Sequence, residues 1–109
     1  MIKWAVSLRA ILVVDMIKDF VTGKLGFSKA RDIIPNIQTL LEIARKKNTF
    51  VVYVCDAHRR GDLELEIWGK HAMDGESGSE IIWELTPTSK EVILKKRTYS
   101  AFFETGLHG

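Results

Sequence analysis

Residues 50–56 read FVVYVCD, a continuous run of branched and aromatic residues that ends in an acid. Such a run is typical of a strand that is covered on both faces of a parallel sheet. The pattern occurs first at residues 11–14, which end at Asp15, and again at residues 91–94, which are followed by two lysines. The sequence therefore predicts three strands with charged residues at their carboxyl ends.

The segments between these runs predict helical connections. From Ile33 onward, apolar residues recur at helical spacing, Pro35 falls in the first turn, and the pattern stops at Asn48. Residues 57–79 are polar and irregular, and Ser79 is placed to cap a short helix over residues 80–85. Alternation of strand and helix predicts an α/β fold with right-handed parallel crossovers.

Composition narrows the class of protein. With 109 residues, 46% of them apolar and 28% charged, the chain has the composition of one ordered domain. Its net charge is only +2 and its basic residues are scattered, which argues against nucleic acid as a partner.

Targeting signals are also missing from the pattern. No apolar run reaches the roughly 18 residues that a membrane span needs, and the N-terminus has no cleavage site of a signal peptide. One cysteine excludes an internal disulfide, and we expect a cytoplasmic protein.

Charged side chains gather at one edge of the predicted sheet. Parallel strands end at the same edge, where open α/β sheets bind their ligands, and this edge receives Asp15, Asp56 with His58, and the lysine pair. Taken singly, an acid after a strand can simply cap the next helix, and a lysine can simply be solvated. Their coincidence at one edge favours a functional site.

Asp56 and His58 stand two positions apart as the second strand ends, and His71 lies in the same connection. Two imidazoles and a carboxylate suit a divalent transition metal that keeps water in its open positions. The D-x-H pattern is short and also arises by chance, so an incidental grouping stays open at this point. Cys55 alternates with Asp56 along the strand and has apolar neighbours, which predicts a buried, unreactive thiol.

Four blocks, taken in order, resemble the isochorismatase-like cysteine hydrolases, most closely their nicotinamidase and pyrazinamidase branch. They are ILVVDMIKDF (11–20), VVYVCDAH (51–58), WGKHAMDGESGSE (68–80) and ILKKRTYSAFFETGL (93–107). The resemblance implies a three-layer, Rossmann-like α/β sheet. It also implies that residues 1–109 are the N-terminal part of a single hydrolase domain, cut after its third strand.

The resemblance further implies a catalytic Asp-Lys-Cys triad that hydrolyses a small-molecule amide through a thioester. The aspartate of that triad falls on Asp15, and the lysine, four residues before the serine of YSAF, falls on Lys96. The metal ligands of the branch fall on Asp56, His58 and His71, with zinc as our first choice of ion and iron or manganese as alternatives. Aromatic residues that flank the substrate ring fall on Phe20 and Trp68, which core packing would explain equally well.

The catalytic cysteine of the family has no counterpart in these 109 residues. We therefore expect the N-terminal portion of a nicotinamidase-like amidohydrolase that is inactive alone; the alternative is a non-catalytic metal-binding or assembly module that keeps the fold. In the strand order that the resemblance implies, the first strand would be an exposed edge. The expected partners are therefore a second copy, paired as a dimer through the first strand, or a complementing C-terminal fragment.

Overall fold

A computed structural model describes residues 9–98, which form a three-stranded parallel sheet in the order β1-β2-β3. The strands are β1 (Ala10–Val14), β2 (Phe50–Asp56) and β3 (Val92–Lys96); the helices are α1 (Lys18–Val21), α2 (Ser28–Asp32), α3 (Ile34–Lys46) and α4 (Leu63–Trp68). Single 3₁₀ turns span Ser77–Ser79 and Trp83–Leu85. Within residues 9–98, no helix is long and apolar enough to cross a membrane.

The three predicted strands are confirmed, and their register aligns the charged ends. Val14 pairs with Val54, and Asp56 pairs with Lys96. The third strand begins one residue later than predicted and continues to Lys96. Asp56 and Lys96 are therefore the last residues of their strands, directly opposite each other at the carboxyl edge, and do not lie in the loops beyond it.

The core lies on one face of the sheet, under α3. This helix carries Pro35 in its first turn, where a missing N–H costs little, and it buries Leu41 and Ala44 in one cluster with Val51 and Tyr53. The opposite face exposes Leu12, Val14 and Val92 by 42–49%. The predicted α/β class and the parallel order of the strands are confirmed.

The connection between β2 and β3 is more ordered than the sequence indicated. Residues 57–79 contain α4 and a 3₁₀ turn. The helix predicted over residues 80–85 is wrong, because Ile81 bridges antiparallel to Ile17 and the Ile82 N–H donates to the Met16 carbonyl. Pairing with the segment that follows β1 satisfies these backbone groups in an extended conformation and leaves one 3₁₀ turn.

Candidate functional site

Lys96 joins two carboxylates at the carboxyl edge of the sheet. Its Nζ lies 2.5 Å from Oδ1 of Asp56 and 3.0 Å from Oδ2 of Asp15, and the residue is only 3% exposed. Side chains alternate along a strand, so Lys95 points the other way, stays exposed, and forms an ion pair with Asp74. The structure thus separates the two lysines by face. The block 99–102, by which the resemblance selected Lys96, lies outside the described residues.

Asp15 turns into the site through an uncommon backbone conformation. Its φ of 56° places it in the left-handed region, which Asp tolerates better than most residues, and its Oδ1 accepts the Asp56 backbone N–H at 3.0 Å. Burial and the negative charge of Asp56 raise the pKa of Asp15, against the opposing effect of Lys96. A carboxylate with a raised pKa is better suited to accept a proton near neutral pH.

The protonation of Lys96 is set by competing effects. Burial lowers its pKa, but the hydrogen bonds and charges of Asp56 and Asp15 outweigh burial, so that the pKa is raised overall. Lys96 is therefore an ammonium ion that holds two carboxylates together. This arrangement places a proton acceptor and a fixed positive charge at one point of the site.

Four buried side chains form a cluster beside this pair. They are Asp56, His58, Glu64 and His71, and each offers a ligand atom within 4.8 Å of the others. His58 and His71 meet edge to face, with ring centroids 4.8 Å apart. Asp56 belongs to both groups, because one of its oxygens meets Lys96 and the other lies 3.4 Å from His58 Nε2.

The cluster has the features of a metal site. His58 Nε2 lies 3.4 Å from a carboxylate oxygen of Glu64 as well, yet it has no hydrogen-bond partner among the described residues; Glu64 Oε1 also has none. His71 Nδ1 contacts the Gly69 carbonyl at 2.7 Å, which leaves Nε2 as its lone-pair nitrogen. Unpartnered buried polar atoms are costly in a folded protein. A divalent ion would satisfy them, so these residues fit one.

Glu64 was not predicted as a member of this site. It lies on α4, a six-residue helix that is too short to produce a clear helical period, six positions after His58. Burial, followed by the charge of Asp56, raises its pKa. The sequence signal that was available is the acidic pair Asp62 and Glu64, which falls between the two histidines among apolar neighbours.

Two further carboxylates make contacts next to the histidines of the cluster, and neither of them was predicted from the sequence. Asp62 contacts His58 Nδ1 at 3.2 Å. Asp19 accepts the N–H of Ala72, the residue after His71, at 2.7 Å. Gly78 is required for this second contact, because a Cβ there would come within 2.1 Å of the Asp19 carboxylate. Both carboxylates restrict the loops that carry the histidines.

A cavity of about 720 Å³ opens onto the site. This is within the size range of small-molecule sites. Asp15, Asp56 and Lys96 line its polar end, together with Glu64 and His71. Lys29 and apolar side chains line the remainder, and the apolar ones include both predicted ring-contacting residues, Phe20 and Trp68. The Phe20 ring lies 5.7 Å from that of His71, whereas Trp68 is 56% exposed at the rim.

Cys55 is separated from this chemistry. It is 3% exposed and belongs to the core cluster on the face under α3. Burial, with the charges of Asp15 and Asp56, raises the pKa of its thiol to about 12. The predicted burial of this thiol is confirmed.

The sequence that carries this site matches a known protein family. Residues 9–109 match the isochorismatase domain. The chain belongs to the isochorismatase domain family. The predicted family is thereby confirmed over residues 9–109.

Relatives of this isochorismatase domain include amidases. A probable inactive nicotinamidase of Arabidopsis thaliana is 31% identical over 91% of the chain and 57% of its own length. N-carbamoylsarcosine amidase of Thermoplasma acidophilum is 38% identical, with a TM-score of 0.88, over 91% of the chain and 57% of its own. A zinc complex of pyrazinamidase from Pyrococcus horikoshii, 24% identical, shares the fold with a TM-score of 0.82 over 91% of the chain and 60% of its own. The 109-residue chain thus spans somewhat more than half the length of these proteins.

Proposed function

We propose that this chain carries the acid–base and metal-binding part of an amidohydrolase site that acts on small-molecule amides. The observation that carries the proposal is the Lys96 ammonium between Asp15 and Asp56, because it joins a proton acceptor to the metal-type cluster inside one cavity. The amidases among the relatives support the choice of amides as the substrate class.

In the proposed reaction, Asp15 takes the proton of a cysteine thiol and the thiolate attacks the amide carbon. Asp15 then returns the proton to the departing nitrogen, which leaves as ammonia or an amine, and water hydrolyses the thioester to release the acid. Lys96 stabilises the negative charges that form around this step. Cys55 does not meet the requirement for a nucleophile, so the thiol has to come from a segment outside these 109 residues.

Asp56, His58, Glu64 and His71 would hold a divalent ion. Two imidazoles and two carboxylates suit zinc, our first choice, with iron or manganese as alternatives. When bound, such an ion supplies a positive charge that can orient a water molecule or polarise a carbonyl oxygen. The residues themselves position that charge beside Lys96 at the polar end of the cavity.

A second candidate function is a metal-binding or assembly module without catalysis. The buried, protonated state of Cys55 favours it, and one relative is described as a probable inactive nicotinamidase. The two functions differ in one property that the chain itself can reveal. An amidohydrolase site binds an amide in the cavity, whereas an assembly module needs only the ion.

The experiment is ligand-observed NMR with nicotinamide and N-carbamoylsarcosine, with zinc present. We expect saturation transfer to at least one amide, and its loss in Lys96→Ala, while Lys95→Ala, which alters the opposite face of the strand, leaves it intact. Binding of zinc without binding of either amide would contradict the amidohydrolase site and favour the assembly module. Equal zinc content in wild type and His71→Ala, measured by elemental analysis, would contradict the metal site.

A further inference from the structure

Asp62 contacts the nitrogen of His58 that faces away from the proposed metal ligands. Its Oδ2 lies 3.2 Å from Nδ1, and both side chains are buried. The other ring nitrogen, Nε2, faces the carboxylates of Asp56 and Glu64 at 3.4 Å. His58 therefore lies between carboxylates on both sides, and its single ring proton in the neutral form can go to either nitrogen.

The Asp62 carboxylate is itself held in place by two arginines. The Arg59 backbone N–H donates to Oδ2 at 2.9 Å, and Arg97 Nε donates to Oδ1 at 3.0 Å. Arg97 also donates to Oδ1 through Nη2. Because Arg97 directly follows Lys96, the carboxylate is fixed to the same strand end that carries the lysine. Its position is set independently of a metal ion.

We propose that Asp62, fixed by Arg97, is a positioning residue that holds the ring proton of His58 on Nδ1 and keeps the Nε2 lone pair directed into the cluster. The inference rests on the proposed metal site. The contact from Asp62 is needed because the carboxylates of Asp56 and Glu64 would otherwise attract the ring proton of His58 to Nε2. A protonated Nε2 cannot bind a metal ion. Carboxylates that accept the second N–H of a ligating histidine commonly act in this way.

The test uses the whole chain and two measurements. The first is the affinity for Zn²⁺, measured by competition with a chromophoric chelator. We expect Asp62→Asn to lower this affinity by about 10–100-fold, the range found for such supporting carboxylates. Asp74→Asn is the matched control, because Asp74 lies in the same connection and pairs with Lys95 instead. It should leave the affinity unchanged.

The second measurement reads the tautomer of His58 in the metal-free chain from its ring ¹⁵N shifts. Nδ1–H is expected in the wild type, and a population of Nε2–H in Asp62→Asn. If that variant does not fold, Arg97→Gln should show the same shift of tautomer to a smaller degree. Nε2–H in the wild type, or equal Zn²⁺ affinity in wild type and Asp62→Asn, would overturn the inference. A wild type that binds no Zn²⁺ but shows Nδ1–H would instead count against the proposed function alone.

Discussion

Cys55 is a packing residue of the core. A reactive cysteine needs a lowered pKa and access to solvent. Here the thiol lies on the face of β2 that packs under α3. Burial, together with the charges of Asp15 and Asp56, raises its pKa to about 12. At neutral pH the side chain is a small apolar group whose role is packing.

We therefore predict that folded protein at pH 8 is not alkylated at Cys55 by iodoacetamide, as measured by intact mass. The same protein in denaturant should take up one equivalent, which is the control. Cys55→Ala should leave zinc content and amide binding unchanged. Rapid alkylation of the folded chain would show that the thiol is accessible and would reopen its assignment to the core.

At the scale of elements, one ion pair ties α3 to the start of β3. Arg45 donates to both oxygens of Glu91 at 2.8 and 2.9 Å, and the Glu91 side chain is only 6% exposed. The hydrogen bonds from Arg45 lower the pKa of Glu91 below its ordinary value of 4.5. A carboxylate whose pKa is lowered by folding stabilises the protein above that ordinary value and loses its contribution as the pH falls through the lowered pKa.

We predict that Glu91→Gln lowers the free energy of unfolding by about 1 kcal/mol at pH 7, since hydrogen bonds to charged groups exceed neutral ones but Arg45 is partly exposed. The difference from wild type should shrink as the pH falls below 4.5, where Glu91 of the unfolded chain takes up a proton, and it should disappear below the lowered pKa of Glu91 in the folded chain. Urea unfolding at several pH values measures it. Glu42→Gln is the control, because its pair with Lys46 is exposed at both ends and should contribute almost nothing. If the difference in free energy of unfolding between wild type and Glu91→Gln stayed constant with pH, the stabilising role of the Arg45–Glu91 ion pair would be refuted.

For the whole molecule, the free edge of the sheet is the feature with the largest consequence. Among residues 9–98, β1 pairs with β2 alone, and it exposes Leu12 and Val14 beside that free edge. The Asp15 N–H donates to β2. Because donors alternate along a strand, the N–H of Leu12 points away from β2. An unpaired strand of this kind is a template for another strand.

We propose that this edge recruits a second copy, or a complementing segment when one is present. Light scattering of the chain alone at micromolar concentration should therefore give a dimer, because a self-complementary interface closes on itself. Leu12→Pro should shift the population to monomer, since it removes an edge donor and spares the bonds to β2. Leu12→Ala keeps the donor and should weaken the dimer less. A monomeric wild type with a cooperative thermal transition would contradict the pairing.

The sequence by itself determined the α/β class, the three strands and the meeting of Asp15, Asp56 with His58 and the lysine pair at one edge; the choice of Lys96 within that pair came from the family resemblance. The physical reason is local, because branched apolar runs mark buried parallel strands and such strands all end at the same edge. The buried state of Cys55 followed equally from the alternation of side chains along β2.

Only the tertiary structure decided how the connection between β2 and β3 folds back over that edge. It brought Glu64 into contact with His58, placed Asp62 behind the same ring, and let Asp19 reach the backbone next to His71. No periodic pattern or motif in the sequence signals these contacts. The helix α4 is too short to show a helical period, and the Asp19 contact joins residues 53 positions apart. The shape of an irregular loop depends on what it packs against, and that becomes known only when the sheet, the helices and the loop are assembled together.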